Sequence, residues 1–199
     1  MSLQTSYRFI APFYDAILSR ATAGSRQRSL LRLPRHGASQ VLLSGVGTGL
    51  DFPFLPPGHI YTALDLTTAM LDRSRSKARN LHMEWVQGDS MALPFEDGRF
   101  DYVVLHLIVA VVPYPERCLA EAARVLKPGG RIFIFDKFLH PGERAWLRRV
   151  FSIVVAKIAT RLDVVFEEVL TNTPNLSVVS DEPVMAGGWF RLIELQKKA

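Results

Sequence analysis

Apolar and polar positions divide the chain into a patterned centre and two differently built ends. Between residues 41 and 136, short apolar runs alternate with segments whose apolar residues recur every three or four positions. Residues 41–44, 60–65, 83–88, 100–107 and 131–135 read as strands, and 100–107 is apolar almost throughout, as a parallel strand covered on both faces must be. Between them, Thr67 can cap a helix running to Ala78, with Met70, Leu71 and Ser74 on its inner side. Residues 115–126 form a second helix with Leu119, Ala122, Ala123 and Leu126 facing inward, stopped by Lys127-Pro128-Gly129-Gly130. Residues 50–55 allow at best a short helix before Pro56-Pro57-Gly58. Strands separated by helices imply a parallel sheet with right-handed crossovers.

The ends follow other periods. Residues 4–33 read as helix, with Tyr7, Ile10, Phe13, Tyr14, Ile17 and Leu18 at three-to-four spacing. Pro12 splits that helix into two pieces, and Ser25 can open a second turn toward Leu33. Beyond the centre, 143–159 is a long helix and 167–171 a short one. Residues 177–181 and 190–195 form a terminal strand pair that adds an antiparallel edge. No repeat or linker interrupts the 199 residues, which form one domain.

The chemistry concentrates where the first strand ends. Gly45-Val46-Gly47-Thr48-Gly49 follows it directly, and the second strand ends on Asp65. Glycine is needed where backbone takes positive φ or approaches a ligand closely, and an acid at the tip of the next strand is where an open α/β sheet holds a ribose. A dinucleotide fingerprint requires a third glycine where this chain has Leu50, and Asp51 would repel a diphosphate. No phosphate-binding lysine follows, which removes the P-loop as well. The turn suits a nucleoside cofactor without phosphate.

Composition narrows the partners. Hydrophobic residues are 48% and charged ones 22%, the balance of a globular chain. Mean hydropathy is +0.12, yet the longest uncharged apolar runs fall far short of the roughly 20 residues that span a bilayer. Cys118 is the single cysteine, so neither an internal disulfide nor a cysteine zinc site is available, and no metal is expected. With no signal-peptide core at the N-terminus, the reading is cytoplasmic. The net charge of +5 is uneven: Arg8, Arg20, Arg26, Arg28, Arg32 and Arg35 crowd the first segment, and Arg144, Arg148, Arg149, Lys157 and Arg161 form a second group. Such groups are solvated helix faces or a docking surface for anionic lipid. Nucleic acid is not expected, because no recognisable binding module accompanies the charge.

With the turn, Asp65, VQGDSMALPFEDGRFDYVV and RVLKPGGRIFIFD in order over residues 41–136, the chain resembles the class I S-adenosylmethionine-dependent methyltransferases. The resemblance implies a Rossmann-like α/β fold: a mostly parallel seven-stranded sheet, helices on both faces, and the antiparallel C-terminal pair. It divides the domain into an N-terminal helical lid or substrate segment (1–35), a cofactor core (41–136) and C-terminal helices with the strand pair (137–199). It implies S-adenosylmethionine held by Gly45, Val46, Gly47 and Gly49, with Asp65 on the ribose hydroxyls and Leu66 against adenine. Asp89 and Ser90 would reach the adenine edge, and Met70 and Met91 would flank the purine or simply fill the core. The family usually carries an acid where this chain has Leu43, a place Asp51 could partly fill.

Tyr7-Arg8-Phe9-Ile10-Ala11-Pro12-Phe13-Tyr14-Asp15, Val46-Gly47-Thr48-Gly49 and Val111-Val112-Pro113 with Pro115-Glu116-Arg117 are most similar to bacterial phospholipid N-methyltransferases. That resemblance implies a phosphatidylethanolamine-type acceptor at the inner membrane face, met by Tyr7, Tyr14 and Asp15. Ubiquinone and menaquinone C-methyltransferases share the tyrosine-aspartate opening, and a cofactor-binding module without activity is a third reading. Tyr14, Asp15 and His106 are the candidate bases for an ethanolamine nitrogen, with Tyr14 and His106 the chosen catalytic pair, and His140 is ambiguous. Tyr7 and Tyr14 could face methylated ammonium by cation–π attraction.

Overall fold

A computed structural model describes residues 20–139 and 164–199. Tyr7, Tyr14, Asp15, His140, the 143–159 helix and the second basic group lie outside the described residues. Residues 20–30 are helical (α1) and run unbroken through Ser25, so that serine is not a second start. Then follow β1 (Gln40–Ser44), a 3-10 turn (Phe52–Phe54), β2 (Ile60–Asp65), α2 (Thr68–Arg75) and β3 (His82–Gln87). After these come β4 (Phe100–His106), α3 (Pro115–Val125), β5 (Leu126–Lys137), α4 (Phe166–Thr171), β6 (Leu176–Met185) and β7 (Phe190–Lys197). Thr67 caps α2 as its sequence position suggests, its side chain accepting from the Met70 amide.

The seven strands form one sheet in the order β3-β2-β1-β4-β5-β7-β6. β1 to β5 pair in parallel, and β7 runs antiparallel to both β5 and β6. Alternate residues feed opposite cores, as a pleat requires. Leu42, Leu64, Val103, Leu105, Ile132 and Ile134 pack with Leu119, Ala122 and Ala123 of α3 and Phe166 and Val169 of α4. Val41, Leu43, Tyr61, Ala63, Val104 and Phe133 pack with Leu30, Phe52 and Leu71 on the other face. Each fully buried leucine or phenylalanine contributes about 1.5–3 kcal/mol, so both helical layers are bound to the sheet.

Two expectations change. Lys127 to Gly130 does not separate α3 from its strand. β5 begins at Leu126, and the register passes from Phe100–Leu126 to Tyr102–Arg131, so these residues form a bulge inside the strand. Gly129 takes φ +77, and a Cβ on Gly130 would lie 2.8 Å from the Asp101 carbonyl oxygen. The terminal strands are also longer than their apolar cores. β6 includes Asp181, Glu182 and Pro183 because it is an edge strand, where charge and a missing N–H are tolerated.

Candidate active site

The parallel order reverses between β1 and β4, and at such a switch point the carboxyl ends of the strands open a crevice. The glycine turn leaves β1 into this crevice. The amides of Gly45 and Val46 both donate to the Leu64 carbonyl, at 2.8 and 3.0 Å, which ties the turn to the end of β2. Gly45, Gly47 and Gly49 all have positive φ, but they face different surroundings. A Cβ on Gly45 would meet Ile108 at 2.8 Å and one on Gly49 would meet Phe52 at 2.8 Å, whereas Gly47 has nothing within 4 Å. Gly47 therefore opens onto free space at the centre of the turn.

Asp65 stands beside that space. Its Oδ2 accepts from the Gly47 amide at 2.8 Å, and its Oδ1 accepts from the Thr67 amide at 3.1 Å. The Thr67 hydroxyl also donates to Oδ1, at 3.4 Å, and since a carboxylate offers about four acceptor positions, about one remains for an outside donor, on the Oδ2 side. Leu66, next in the chain, is 64% exposed. Beside the tip of the neighbouring β3, Asp89 caps its own loop, with Oδ1 accepting from the Met91 amide at 2.8 Å. Ser90 is buried and takes the Ser44 hydroxyl at 2.8 Å. Met70 and Met91 are half-buried at the same edge. The residues expected around a nucleoside thus converge on one edge of the sheet.

A second, buried group lies under the turn. Asp51 Oδ1 accepts from Arg26 Nη1 at 2.7 Å and sits 2.7 Å from His106 Nδ1. His106 Nε2 is 2.8 Å from the Ser29 hydroxyl, and Arg26 Nε donates to Thr22 Oγ1 at 3.1 Å. The Asp51 carboxylate keeps a proton on Nδ1, and the other ring nitrogen shares its hydrogen bond with the Ser29 hydroxyl. Burial alone would raise the Asp51 pKa, but His106 and Arg26 beside it hold the carboxyl well below the usual range. Asp51 is accordingly not the exposed charge that was expected to repel a phosphate. His106 has both nitrogens engaged.

Around the tip of β4 the backbone is strained. Leu107 takes φ +57, a conformation that costs a residue with a side chain about 1–3 kcal/mol. Its amide donates to the Phe135 carbonyl at 2.8 Å, and the bend lays Ile108 against Gly45. Asp136, at the tip of β5, is fully buried and accepts from the amides of Ala110 and Lys137, at 2.9 and 2.8 Å. Burial pushes its pKa up, against the pull of those amides and of the Lys137 ammonium. Asp136 therefore pins the loop after β4.

In the sequence Arg26 stands only in a basic group, and Ser29 and Asp136 are assigned no role at the site. Thr22, Arg26 and Ser29 lie four and three residues apart, on the same stripe as Leu30 and Leu33, so a polar trio on an apolar face was the available signal. Among the described residues no group of His, Cys, Asp and Glu could hold a metal ion. Nor is any described helix long and apolar enough to cross a membrane.

Comparison with known proteins agrees with this geometry. The family model described as a methyltransferase domain matches residues 42–134. A phosphatidylethanolamine N-methyltransferase from Cereibacter sphaeroides is 33% identical over 190 residues, covering 93% of each chain. The chain belongs to the class I S-adenosylmethionine-dependent methyltransferases. A ubiquinone/menaquinone biosynthesis C-methyltransferase from Ruegeria sp. is 44% identical over 136 residues, covering 65% of this chain and 53% of that one. The fold also matches the methyltransferase solved in complex with an activator from Haloferax volcanii, with TM-score 0.77, 18% identity and coverage of 96% and 97%. An S-adenosylmethionine-dependent methyltransferase from Thermotoga maritima matches with TM-score 0.70, 19% identity and coverage of 99% and 100%.

S-adenosylmethionine is the cofactor of this methyltransferase, and the residues present fit it. Gly47 offers open space into which any side chain would project, and Asp65 keeps acceptor capacity at the strand tip.

Proposed function

We propose that this methyltransferase N-methylates phosphatidylethanolamine-type phospholipid at a membrane surface. The observation that carries the reading is the extent of likeness. The match to the phospholipid N-methyltransferase runs over 93% of both chains, whereas the match to the Ruegeria quinone enzyme, though higher in identity, covers 53% of that protein. Acceptor choice in this superfamily resides at the chain ends, so a match that includes the ends weighs more than one confined to the cofactor core.

In this reading Gly45, Val46, Gly47 and Gly49 cradle the cofactor, and Asp65 holds its ribose. Leu66 and the partly buried Met70 and Met91 face the purine, and Asp89 and Ser90 meet its polar edge. The cofactor supplies an electrophilic methyl group on a sulfonium. Positioning a neutral amine in line with that methyl is the main task left to the protein, and alignment of this kind lowers a barrier by about 7–11 kcal/mol. Apolar surroundings suppress the charged form of an amine, and the strained loop from Leu107 to Val112 provides such surroundings beside Gly45. Tyr7, Tyr14 and Asp15 are assigned to the acceptor, with Tyr14 and Asp15 the remaining candidates to take the amine proton. His106 is assigned to positioning, since both its nitrogens are occupied.

The basic first segment contributes less to a membrane surface than its composition suggests. Arg26 is buried on Asp51, Arg28 pairs with Glu182, and Arg32 pairs with Glu182 and Glu194. Arg20 and Arg35 are exposed. Incubating the protein with methyl-labelled S-adenosylmethionine and vesicles of phosphatidylethanolamine with phosphatidylglycerol tests the proposal. Label in mono- and dimethylated phospholipid is expected; label only in an added quinone precursor would transfer the chain to the C-methylating reading.

A further inference from the structure

We infer that Asp51, Arg26, His106 and Ser29 form a positioning cluster that locks α1 to the glycine turn, so that α1 and the cofactor-binding turn are held as one unit. The cluster reaches the turn by two routes. Asp51 lies two residues beyond Gly49 and directly before Phe52, whose amide donates to the Gly49 carbonyl at 3.3 Å and whose ring underlies Gly49. His106 ends β4, and two residues later Ile108 lies beneath Gly45. Both outer glycines of the turn are thus backed by residues adjoining the cluster, while Arg26 and Ser29 belong to α1. The chain that precedes α1 carries Tyr7, Tyr14 and Asp15.

The placement also accounts for Leu43. Leu43 pairs in register with Val104, and His106 follows on the same face two residues along β4. The carboxylate of this region comes from the loop after the turn rather than from β1. Asp51, His106 and Ser29 have the order of a nucleophilic triad, but Ser29 is 2% exposed and His106 4%, which leaves no approach for an acyl donor. All four side chains are buried, and breaking such a network on one side leaves a desolvated charge unpaired. The cluster therefore holds in one arrangement, and anything that orders the turn also orders α1, a coupling that must run in both directions.

Hydrogen exchange over residues 22–30, with and without S-adenosylhomocysteine, tests this together with calorimetric affinity for that ligand. In the wild type the ligand should slow exchange in α1 by about fivefold or more, the lower end of ordinary site coupling. Asp51→Asn should abolish that slowing and weaken the ligand by about tenfold or more. Ser29→Ala, which keeps the Arg26 ion pair, should lose the ligand-dependent slowing while remaining folded, and it decides the matter if Asp51→Asn does not fold. A variant that melts earlier but keeps wild-type affinity and wild-type ligand-dependent protection would overturn the inference, because the cluster would then serve stability alone. Wild-type exchange indifferent to the ligand would overturn it too. The test rests on the cofactor assignment and is independent of the acceptor: no binding by the wild type removes both, whereas binding without coupling removes only this one.

Discussion

Replacing Gly47 and Gly49 by alanine, one at a time, should separate holding the cofactor from holding the fold. Both glycines have left-handed backbone, at φ +52 and +75, and an alanine there costs about 1–2 kcal/mol. For Gly47 that is the whole cost to the fold, since a Cβ meets nothing within 4 Å. A chain of this size loses about 2–4 °C of melting temperature per kcal/mol, so Gly47→Ala should melt about 2–8 °C early. At Gly49 the added Cβ lies 2.8 Å from the Phe52 ring and 3.0 Å from Ser74 Cβ, and overpacking adds about 1–3 kcal/mol. Gly49→Ala should therefore lose roughly 2–5 kcal/mol, or about 4–20 °C. Affinity should follow the opposite order. The new methyl in Gly47→Ala projects into the space assigned to the cofactor and should weaken S-adenosylhomocysteine by about tenfold or more, ~1.4 kcal/mol. In Gly49→Ala the folded fraction should bind within a few-fold of wild type. Thermal melts followed by circular dichroism and calorimetric titration below the transition measure both quantities. Wild-type affinity in Gly47→Ala would refute the reasoning, because the open face of the turn would then not be where the cofactor lies.

Three other outcomes are expected. Asp65→Asn keeps the shape but turns an NH2 toward either Gly47 or Thr67, and losing charge-assisted bonds worth about 1.5–3 kcal/mol should weaken S-adenosylhomocysteine about 10–150-fold by calorimetry. The Asp51 carboxyl is held below its ordinary range in the folded protein, so its stabilisation is present above the unfolded value and lost as pH falls. Urea melts of wild type and Asp51→Asn should differ most near neutral pH and converge below about pH 4; a constant difference would contradict the ion pair. Burial, reinforced by Asp136 and Asp89, pushes the Cys118 thiol up to about 12, so iodoacetamide at pH 8 should label it only when the protein is unfolded. Labelling at the rate of a free thiol in the native protein would contradict its placement on the buried face of α3.

The central sheet was legible because its strands are covered on both faces, and an apolar run bounded by turn residues leaves few other structures open. The order of motifs also brought Gly45 and Asp65 to one edge of the sheet, since they sit at the tips of neighbouring parallel strands. What the pattern hid was polar and buried. Arg26 read as surface charge and Ser29 drew no reading at all, because their partners, Asp51 and His106, are distant in sequence and meet them only across the folded sheet. Asp136 was passed over for a similar reason: its partner is the backbone of the loop after β4, which no side-chain pattern announces. Edge strand β6 was clipped short because Glu182 and Pro183 carry turn-like composition into a strand that, among the described residues, has no neighbour on its outer side.

Titration calorimetry of the purified protein with S-adenosylhomocysteine tests the central claim most directly, because every assignment at the carboxyl edge of β1 and β2 depends on that site. One ligand bound per chain, displaced by S-adenosylmethionine and weakened by Gly47→Ala and Asp65→Asn, is the predicted result. No heat from either ligand, or binding indifferent to both substitutions, would contradict it.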